Sequence, residues 1–565
     1  MGDLKEIKIE PEGLGHLLAD GQWGVPRYQR AYKWGEKQVN ELLYDIENAI
    51  NDKQPEYFVG SIVVARVSAD RPEIVDGQQR LATASILLAG MRDFFFLDKK
   101  DPETAKIIEQ DYLFKQDLKT KELRPKLQLS ETDHDFFLRR ILEPPSKDRQ
   151  KIKAIRESHK RLLDAQRVTR QYLLDITKNI NNPDEKLFER ISYLAEKTRV
   201  IWVQVPDHQN AFTIFETLND RGLDLAITDL LKNYLFHKAQ DRIAEVQQRW
   251  VQMFSTIETA ANEETVKDYI RHHWSSRHGL TRERELYKDI KDTVTTKTLA
   301  LECADGLLEE ADLFAAIRNN NHEFWKGYGT AARQHIYIIN DTLGMERITP
   351  LLLAILSTFP QREVERSLKI IVSWGVRWLV AGGVAGALEK KYSEAAVKIR
   401  QKSVATTKQL FAEMKDLVPG DTEFDKEFAN AKVSKAYLAR YYLHVLERQK
   451  VGEKEPELVP NANEAEVNLE HVLPQNPQPG TWTNFDEDAR SAFTYRLGNL
   501  ALMKVTENNQ AGAEEFPAKK ARFAKSNFLL TKMIASSAGW NTKEIENRQQ
   551  ELGTLAVAAW PQKPQ

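Results

Sequence analysis

Glu470 and His471 stand together in Val467 to Pro474, a segment that alternates apolar and polar residues as a half-buried strand does. Asn499 follows within Arg496-Leu497-Gly498-Asn499-Leu500. Asn508 precedes a stretch of helical spacing from about Ala513 to Ser526. The order is strand, loop, strand, helix, with the histidine and both asparagines at the turns. These residue types suit phosphodiester hydrolysis, which needs a base to take a proton from water and a hard cation to stabilise charge on the phosphate. Imidazole titrates near neutral pH, so His471 suits the base. A carboxylate and an amide oxygen are hard ligands, so Glu470 and Asn508 suit Mg²⁺ or Mn²⁺. A Glu-His pair alone would be an ordinary surface feature; the spacing and the helix that follows carry the functional reading.

A second set lies near the other end. Asp76-Gly77-Gln78-Gln79-Arg80 follows a strand and opens a helix, where backbone N–H groups point outward and Arg80 can grip a phosphate. Asp76 could bind a metal ion or orient a water. The same five residues could also be a capped turn closed by a salt bridge. Pro26 to Trp34 (PRYQRAYKW) packs three aromatics and three bases into nine residues. Tyr28, Tyr32 and Trp34 could stack on a base or sugar, although core packing suits at least one of them. Phe215 to Gly222 (FETLNDRG) precedes Asp229 and Lys232, which are i,i+3 on a helix and could pair only with each other. No G-x-x-x-x-G-K-[ST] occurs, so any nucleotide site here is not a P-loop.

The elements that position these residues divide the chain in three. Residues 1–100 read as mixed α/β, with strands at Tyr57 to Val67 and Glu73 to Val75 and helices over 36–52 and from Leu81 to Phe96. From about 100 to 455 the spacing is mostly helical, and Val200 to Val205 is the clearest strand. Residues 448–463 are polar with two prolines and read as a linker. Residues 467–503 then turn strand-like, and 513–553 return to helix.

Composition bounds the rest. Lys and Arg number 81 against 83 Asp and Glu in 565 residues, which excludes a strongly basic nucleic-acid coat but not a local basic groove. Hydrophobic residues at 41% and charged residues at 29% indicate a globular rather than a disordered chain. The one cysteine, Cys303, excludes an internal disulfide and a paired-cysteine zinc site, fits a reducing cytoplasm, and reads as a buried small residue. The start Met-Gly lacks Ser or Thr at position 6, and no apolar signal core follows. Ile370 to Leu388 is almost continuously apolar, but Arg377 mid-run would cost about 2.5–3.5 kcal/mol in a bilayer, so a buried helix is expected. The densest basic run, Arg271 to Arg284 with His272, His273 and His278, could meet a DNA backbone; a solvated or interdomain face is the default.

The C-terminal arrangement resembles a ββα-metal (HNH-type) nuclease. EHVLP, RLGNLALM, N-x-x-x-G, AKKARFAKS, FLLTK and W-N-T-K-E-I-x-x-R resemble the nuclease half of GmrSD-type modification-dependent (type IV) restriction enzymes over roughly 467–560. PRYQRAYKW, GSIVVARV, EIVDGQQRLATASILL and FETLNDRGLDLAITDLLKN occur in the order of that family's N-terminal half over about 10–240. The resemblance implies an α+β, predominantly helical chain. A ParB/sulfiredoxin-like NTP-binding and DNA-sensing domain would span 1–240, a helical connector 241–455 and an HNH nuclease domain 456–565. It implies that Asp76, Gly77, Gln78, Gln79, Arg80, Asn219 and Arg221 bind GTP or ATP, with Asp76 and Arg80 catalytic. His471 would be the base and Asn499 would hold it in orientation, with Glu470 and Asn508 on Mg²⁺ or Mn²⁺. Tyr28, Gln29 and Arg30 would contact DNA. Lys519, Lys520 and Arg522 would meet the DNA backbone or form a solvated face. The expected protein is a cytoplasmic, NTP-dependent endonuclease acting on modified double-stranded phage DNA, with no membrane partner and oligomerisation open. Two alternatives stand: a nucleotide-binding DNA sensor that does not cut, and an RNA-directed nuclease or toxin.

Overall fold

In the computed structural model, the described residues are 7–66, 71–178, 180, 182–207, 210–211, 227–260, 264–382, 385–458, 467–504 and 514–564. They form two compact units. One is Met1–Gln252 with Ile290–Asp305, and the other is Met253–Asp289 with Gly306–Gln565. The C-terminal segment and most of the helical middle share one unit.

The first unit is built on a mixed six-stranded sheet. Lys8–Gly13 pairs antiparallel with Thr198–Val205, which runs parallel to Tyr57–Ala65. Tyr57–Ala65 pairs antiparallel with Glu73–Asp76, which runs parallel to Trp23–Gly24, itself parallel to Leu127–Gln128. The β-branched run Ile62, Val63, Val64 lies in the middle of this order, covered on both faces and fully buried, as a central strand requires. Glu36–Asn51 forms the expected amphipathic helix and buries Val39, Leu42, Leu43, Ile46 and Ile50. The helix at Gln78–Phe94 starts three residues before the expected Leu81 and is buried on nearly every side. Its Arg92 is buried because Asp93, Glu109 and the carbonyls of Leu142 and Glu143 all accept from it.

Among its described residues the second unit is helical except for one two-stranded sheet, Val467–His471 against Leu500–Lys504. The expected strand-like stretch 467–503 is thus strand only at its ends, with a helix at Glu487–Phe493 between. The expected helix over 513–553 is three helices, Phe516–Phe523, Leu529–Ile534 and Thr542–Ala559. Arg377 lies within Gln361–Ala381, fully buried. It donates to the carbonyls of Trp560 and Pro419 at 2.7 and 2.8 Å, pairs with Asp421, and stacks over Phe424. Among the described residues no helix is long and apolar enough to cross a membrane. The expected linker is partly packed: Glu457 is buried against His335 and Lys369, while 459–466 lie outside the described residues.

The first part of the basic run of the middle region turns inward, while Arg282 and Arg284 are exposed. His272, His273 and Trp274 of the helix Glu264–His278 are buried. Arg277 and Arg400 both grip the buried Glu310 with two hydrogen bonds each. Cys303 is half-buried.

This cluster makes the second unit acid-sensitive. Burial opposes the charge on Glu310, but Arg277, His273 and Arg400 outweigh it and hold its carboxyl below the usual range. Burial, reinforced by Arg277, pushes His273 down to about 3. The unfolded chain binds a proton on this histidine below about pH 6.5 and on this glutamate below about 4.3, while the folded chain resists both. Stability therefore falls as pH drops, first through His273 and then through Glu310. Thermal unfolding followed by circular dichroism should show a falling midpoint between about pH 7 and pH 4. His273→Gln should flatten the upper part of that fall.

Candidate active sites

In the first unit the strand Glu73–Asp76 delivers Asp76 to a turn made by Gly77. Gly77 has φ 90°, and a Cβ there would sit 2.6 Å from Ile62 Cγ1, so both conformation and space demand glycine. The chain then enters the Gln78 helix, with Arg80 on its first turn. The Arg80 guanidinium donates to the Ser61 carbonyl at 3.2 Å and lies against Gly60, where a Cβ would come within 2.9 Å of it. Gly60 thus makes room for the arginine, a role that the glycine inside a β-branched run signals only faintly. Burial raises the carboxyl of Asp76 above its ordinary value, and the Arg80 charge opposes that rise.

The two glutamines do different work. Gln79 accepts from the backbone N–H groups of Lys33 and Trp34 and donates to the Ala31 carbonyl, so it clamps the 26–34 segment. Gln78 donates to the Arg30 carbonyl at 3.3 Å, and its Oε1 is buried without a hydrogen-bond partner among the described residues. Asn219 and Arg221 lie outside the described residues.

Tyr28, Gln29 and Arg30, expected to contact DNA, are turned into the protein. Tyr28 is buried edge-on against Phe236, with ring centroids 5.0 Å apart. Gln29 donates to the Val75 carbonyl at 2.7 Å and accepts from Lys232 Nζ at 3.3 Å. Arg30 pairs with Asp229 at 3.4 Å, and Lys232 bonds the same carboxylate at 2.9 Å. Burial opposes the charge of Asp229, but Lys232 and Arg30 outweigh it and keep the carboxyl below its ordinary value. Asp229 and Lys232 thus pair as their spacing allows, and they also fasten the helix Ile227–Ala239 to the strand that carries Asp76. Tyr32 is likewise buried, its hydroxyl 2.8 Å from Thr83 Oγ1.

In the second unit Glu470 and His471 end the strand Val467–His471, opposite Ala501 and Leu500. The Glu470 side chain is buried and accepts from Lys519 Nζ at 2.5 Å. The same ammonium donates to the His471 carbonyl at 2.7 Å. Lys519 is therefore not the DNA-facing residue that its basic neighbours suggest: it is 0% exposed. Lys520 donates to the Ser537 carbonyl and Arg522 to Glu514. Burial pushes His471 down to about 4, with the Lys519 charge acting in the same direction, so the imidazole is neutral at neutral pH. Its Nε2 lies 3.1 Å from the amide nitrogen of the exposed Gln475, and a donor there places the lone pair on Nε2.

Asn499 is 0% exposed and touches the histidine's backbone neighbours rather than its ring. Its Oδ1 accepts from Leu473 N–H at 2.8 Å and from Trp540 Nε1 at 3.1 Å. Its Nδ2 donates to the carbonyls of Leu473 and Thr494. Its own carbonyl accepts from Val472 N–H at 2.9 Å. The chain leaving His471 is thus held from both sides. The helix Thr542–Ala559 supports this turn from behind: Arg548 donates to the carbonyls of Leu497, Gly498 and Leu500, and Gln549 accepts from Gly498 N–H. Gly498 permits that approach, since a Cβ would fall 2.3 Å from the Ile545 carbonyl oxygen. Trp540 and Arg548 were visible as residues of the terminal motif, but their service to Asn499 was not.

Glu470 has the donor chemistry for a hard divalent cation. Lys519 engages its Oε1. Asn508 lies outside the described residues, and among those described no three His, Cys, Asp or Glu side chains gather as a ligand set.

Removing the Asn499 amide would strand Leu473 N–H and Trp540 Nε1 in a dry interior, at about 1–3 kcal/mol for each orphaned group. Asn499→Ala should therefore lower the unfolding free energy by about 2–5 kcal/mol in a denaturant titration. Asn499→Asp keeps the acceptor but sets a second oxygen against the Leu473 and Thr494 carbonyls in a fully buried site, and so should not rescue the loss. Gly77→Ala should cost about 1–3 kcal/mol, from positive φ together with the Ile62 clash.

Comparison with known proteins now bears on the whole chain. Residues 14–236 match the GmrSD restriction endonuclease N-terminal domain, and residues 418–555 match the GmrSD restriction endonuclease C-terminal domain. No curated protein matches the chain. The C-terminal match begins well before the expected boundary at 456, in keeping with a unit in which the C-terminal segment is continuous with helices ahead of it. With both domains present in one chain, in this order and over most of its length, the protein belongs to the GmrSD restriction endonucleases.

Proposed function

We propose that this restriction endonuclease senses modified DNA, depends on a nucleoside triphosphate, and cuts in its C-terminal unit by ββα-metal (HNH-type) hydrolysis. The observation that carries the reading is His471. It is neutral, it ends a strand beside a buried carboxylate, and Asn499 and Lys519 fix the backbone on either side of it. A base must be unprotonated and well placed, and a depressed pKa on a strand end pinned from both sides supports that role. Nε2 of His471 would take the proton of an attacking water once Gln475 swings aside. Glu470, with Asn508, would hold Mg²⁺ or Mn²⁺, which when bound supplies charge stabilisation at the phosphate.

The Asp76–Arg80 turn is the proposed GTP or ATP site. Arg80 would hold phosphate oxygens, Asp76 would orient a water or a cation, and the helix start offers N–H donors. Asn219 and Arg221 would complete it. The buried Asp229–Lys232–Gln29 cluster supports the reading, because it ties a distant helix to the strand that carries Asp76. Cytoplasmic antiphage defence is the setting that the family suggests.

Plasmid and modified phage DNA should be incubated with Mg²⁺ or Mn²⁺, with and without each triphosphate. Wild type should cut modified DNA. His471→Ala should lose cutting by about 10²-fold or more, as loss of a general base does. Asp76→Ala should keep the nuclease fold and lose its response to nucleotide. Nucleotide binding with no cutting of any DNA would instead favour the non-cutting sensor, and cutting confined to RNA would favour the RNA-directed nuclease.

A further inference from the structure

Three basic residues line the helix Phe516–Phe523, and each is engaged differently. Arg522 meets Glu514, and Lys520 meets a backbone carbonyl. Lys519 alone is sealed inside, with its ammonium 2.5 Å from Glu470 Oε1 and 2.7 Å from the His471 carbonyl oxygen. The side chains of adjacent strand residues point to opposite faces. One side chain can therefore hold both residues only by taking Glu470 through its carboxylate and His471 through its backbone, which is the arrangement observed. A buried ion pair whose task was only to join helix to strand would be replaceable, both partners together, by apolar side chains. An apolar pair could not hold the Glu470 carboxyl group and the His471 carbonyl from one point, as this ammonium does.

We propose that Lys519 is a positioning residue of the nuclease site: its ammonium locks the Glu470 carboxylate and the His471 backbone into one rigid unit and does not contact DNA. The proposal rests on the nuclease reading of Glu470 and His471 given above. It assigns Lys519 an effect on the chemical step and none on DNA affinity.

The test uses the full chain with Lys519→Met, Lys519→Gln and Lys519→Arg beside wild type and His471→Ala. Folding is checked by circular dichroism, DNA affinity by anisotropy with Ca²⁺ in place of Mg²⁺, and kcat and KM by steady-state cleavage. Lys519→Gln keeps hydrogen-bond donors without the charge, and so guards against a Met variant that does not fold. The expected result is folded protein, DNA affinity and KM within about threefold of wild type, and kcat down by about 10²-fold, the size of effect that slight misplacement produces. Weakened DNA affinity or raised KM at unchanged kcat would make Lys519 a backbone contact and overturn the proposal. Wild-type kcat in the folded variants, or failure of all three to fold, would make it a fold staple and also overturn it. If wild type itself cuts no nucleic acid, the nuclease reading falls and this proposal falls with it; wild-type cutting that the Lys519 variants share overturns this proposal alone.

Discussion

A cation taken out of water must bring its counter-charge with it, and that requirement decides where the functional side chains of this protein stand. An isolated ammonium in a dry interior is prohibitively unfavourable, so each buried lysine or arginine is surrounded by oxygen. Lys232 has Asp229 and Gln29, Lys519 has Glu470 and the His471 carbonyl, and Arg377 has Asp421 and two carbonyls. Each has at least one partner from a different stretch of chain: Gln29 for Lys232, Glu470 and His471 for Lys519, and Pro419, Asp421 and Trp560 for Arg377. The charge pairing therefore fixes tertiary positions that apolar packing alone would leave free to slide.

The same constraint explains what could be read in the sequence. Asp76-Gly77-Gln78-Gln79-Arg80 was legible as a strand, a turn and a helix start because the β-branched run and the glycine are local signals. The Glu470–His471 strand end and the Asn499 turn were legible for the same reason. The burial of Tyr28, Gln29 and Lys519 was not, because a polar or basic residue reads as exposed unless its partner is known. A signal did exist for Lys519. Phe516, Lys519 and Phe523 fall at i, i+3 and i+7, so the lysine lies on the buried stripe of its own helix. Arg377 carries the same signature inside an apolar run.

Domain boundaries were the least legible feature, and the structure shows why. The polar stretch near 450–458 looks like a linker, yet the segments on either side share backbone-level contacts. Gln549 donates to the carbonyls of Phe428 and Ala431, Arg496 to that of Ala429, and Glu447 accepts from the N–H groups of Leu529 and Leu530. Such bonds join residues about a hundred positions apart, and nothing local records them. The Asn499 turn is thus braced by helices that precede the apparent linker.

A buried ion pair contributes little net stability, because desolvation offsets most of its Coulombic attraction, and apolar replacements of similar volume are often as stable. The Glu470–Lys519 pair is therefore a poor device for holding a fold together. Burial raises the Glu470 carboxyl above its ordinary value, and Lys519 limits that rise while it fixes where the carboxylate points. The neighbouring imidazole feels the opposite consequence of the same charge and stays neutral. One ammonium thus acts on both neighbours at once: it favours the charged form of Glu470 and the uncharged form of His471, and it joins them through the carboxylate of one and the carbonyl of the other.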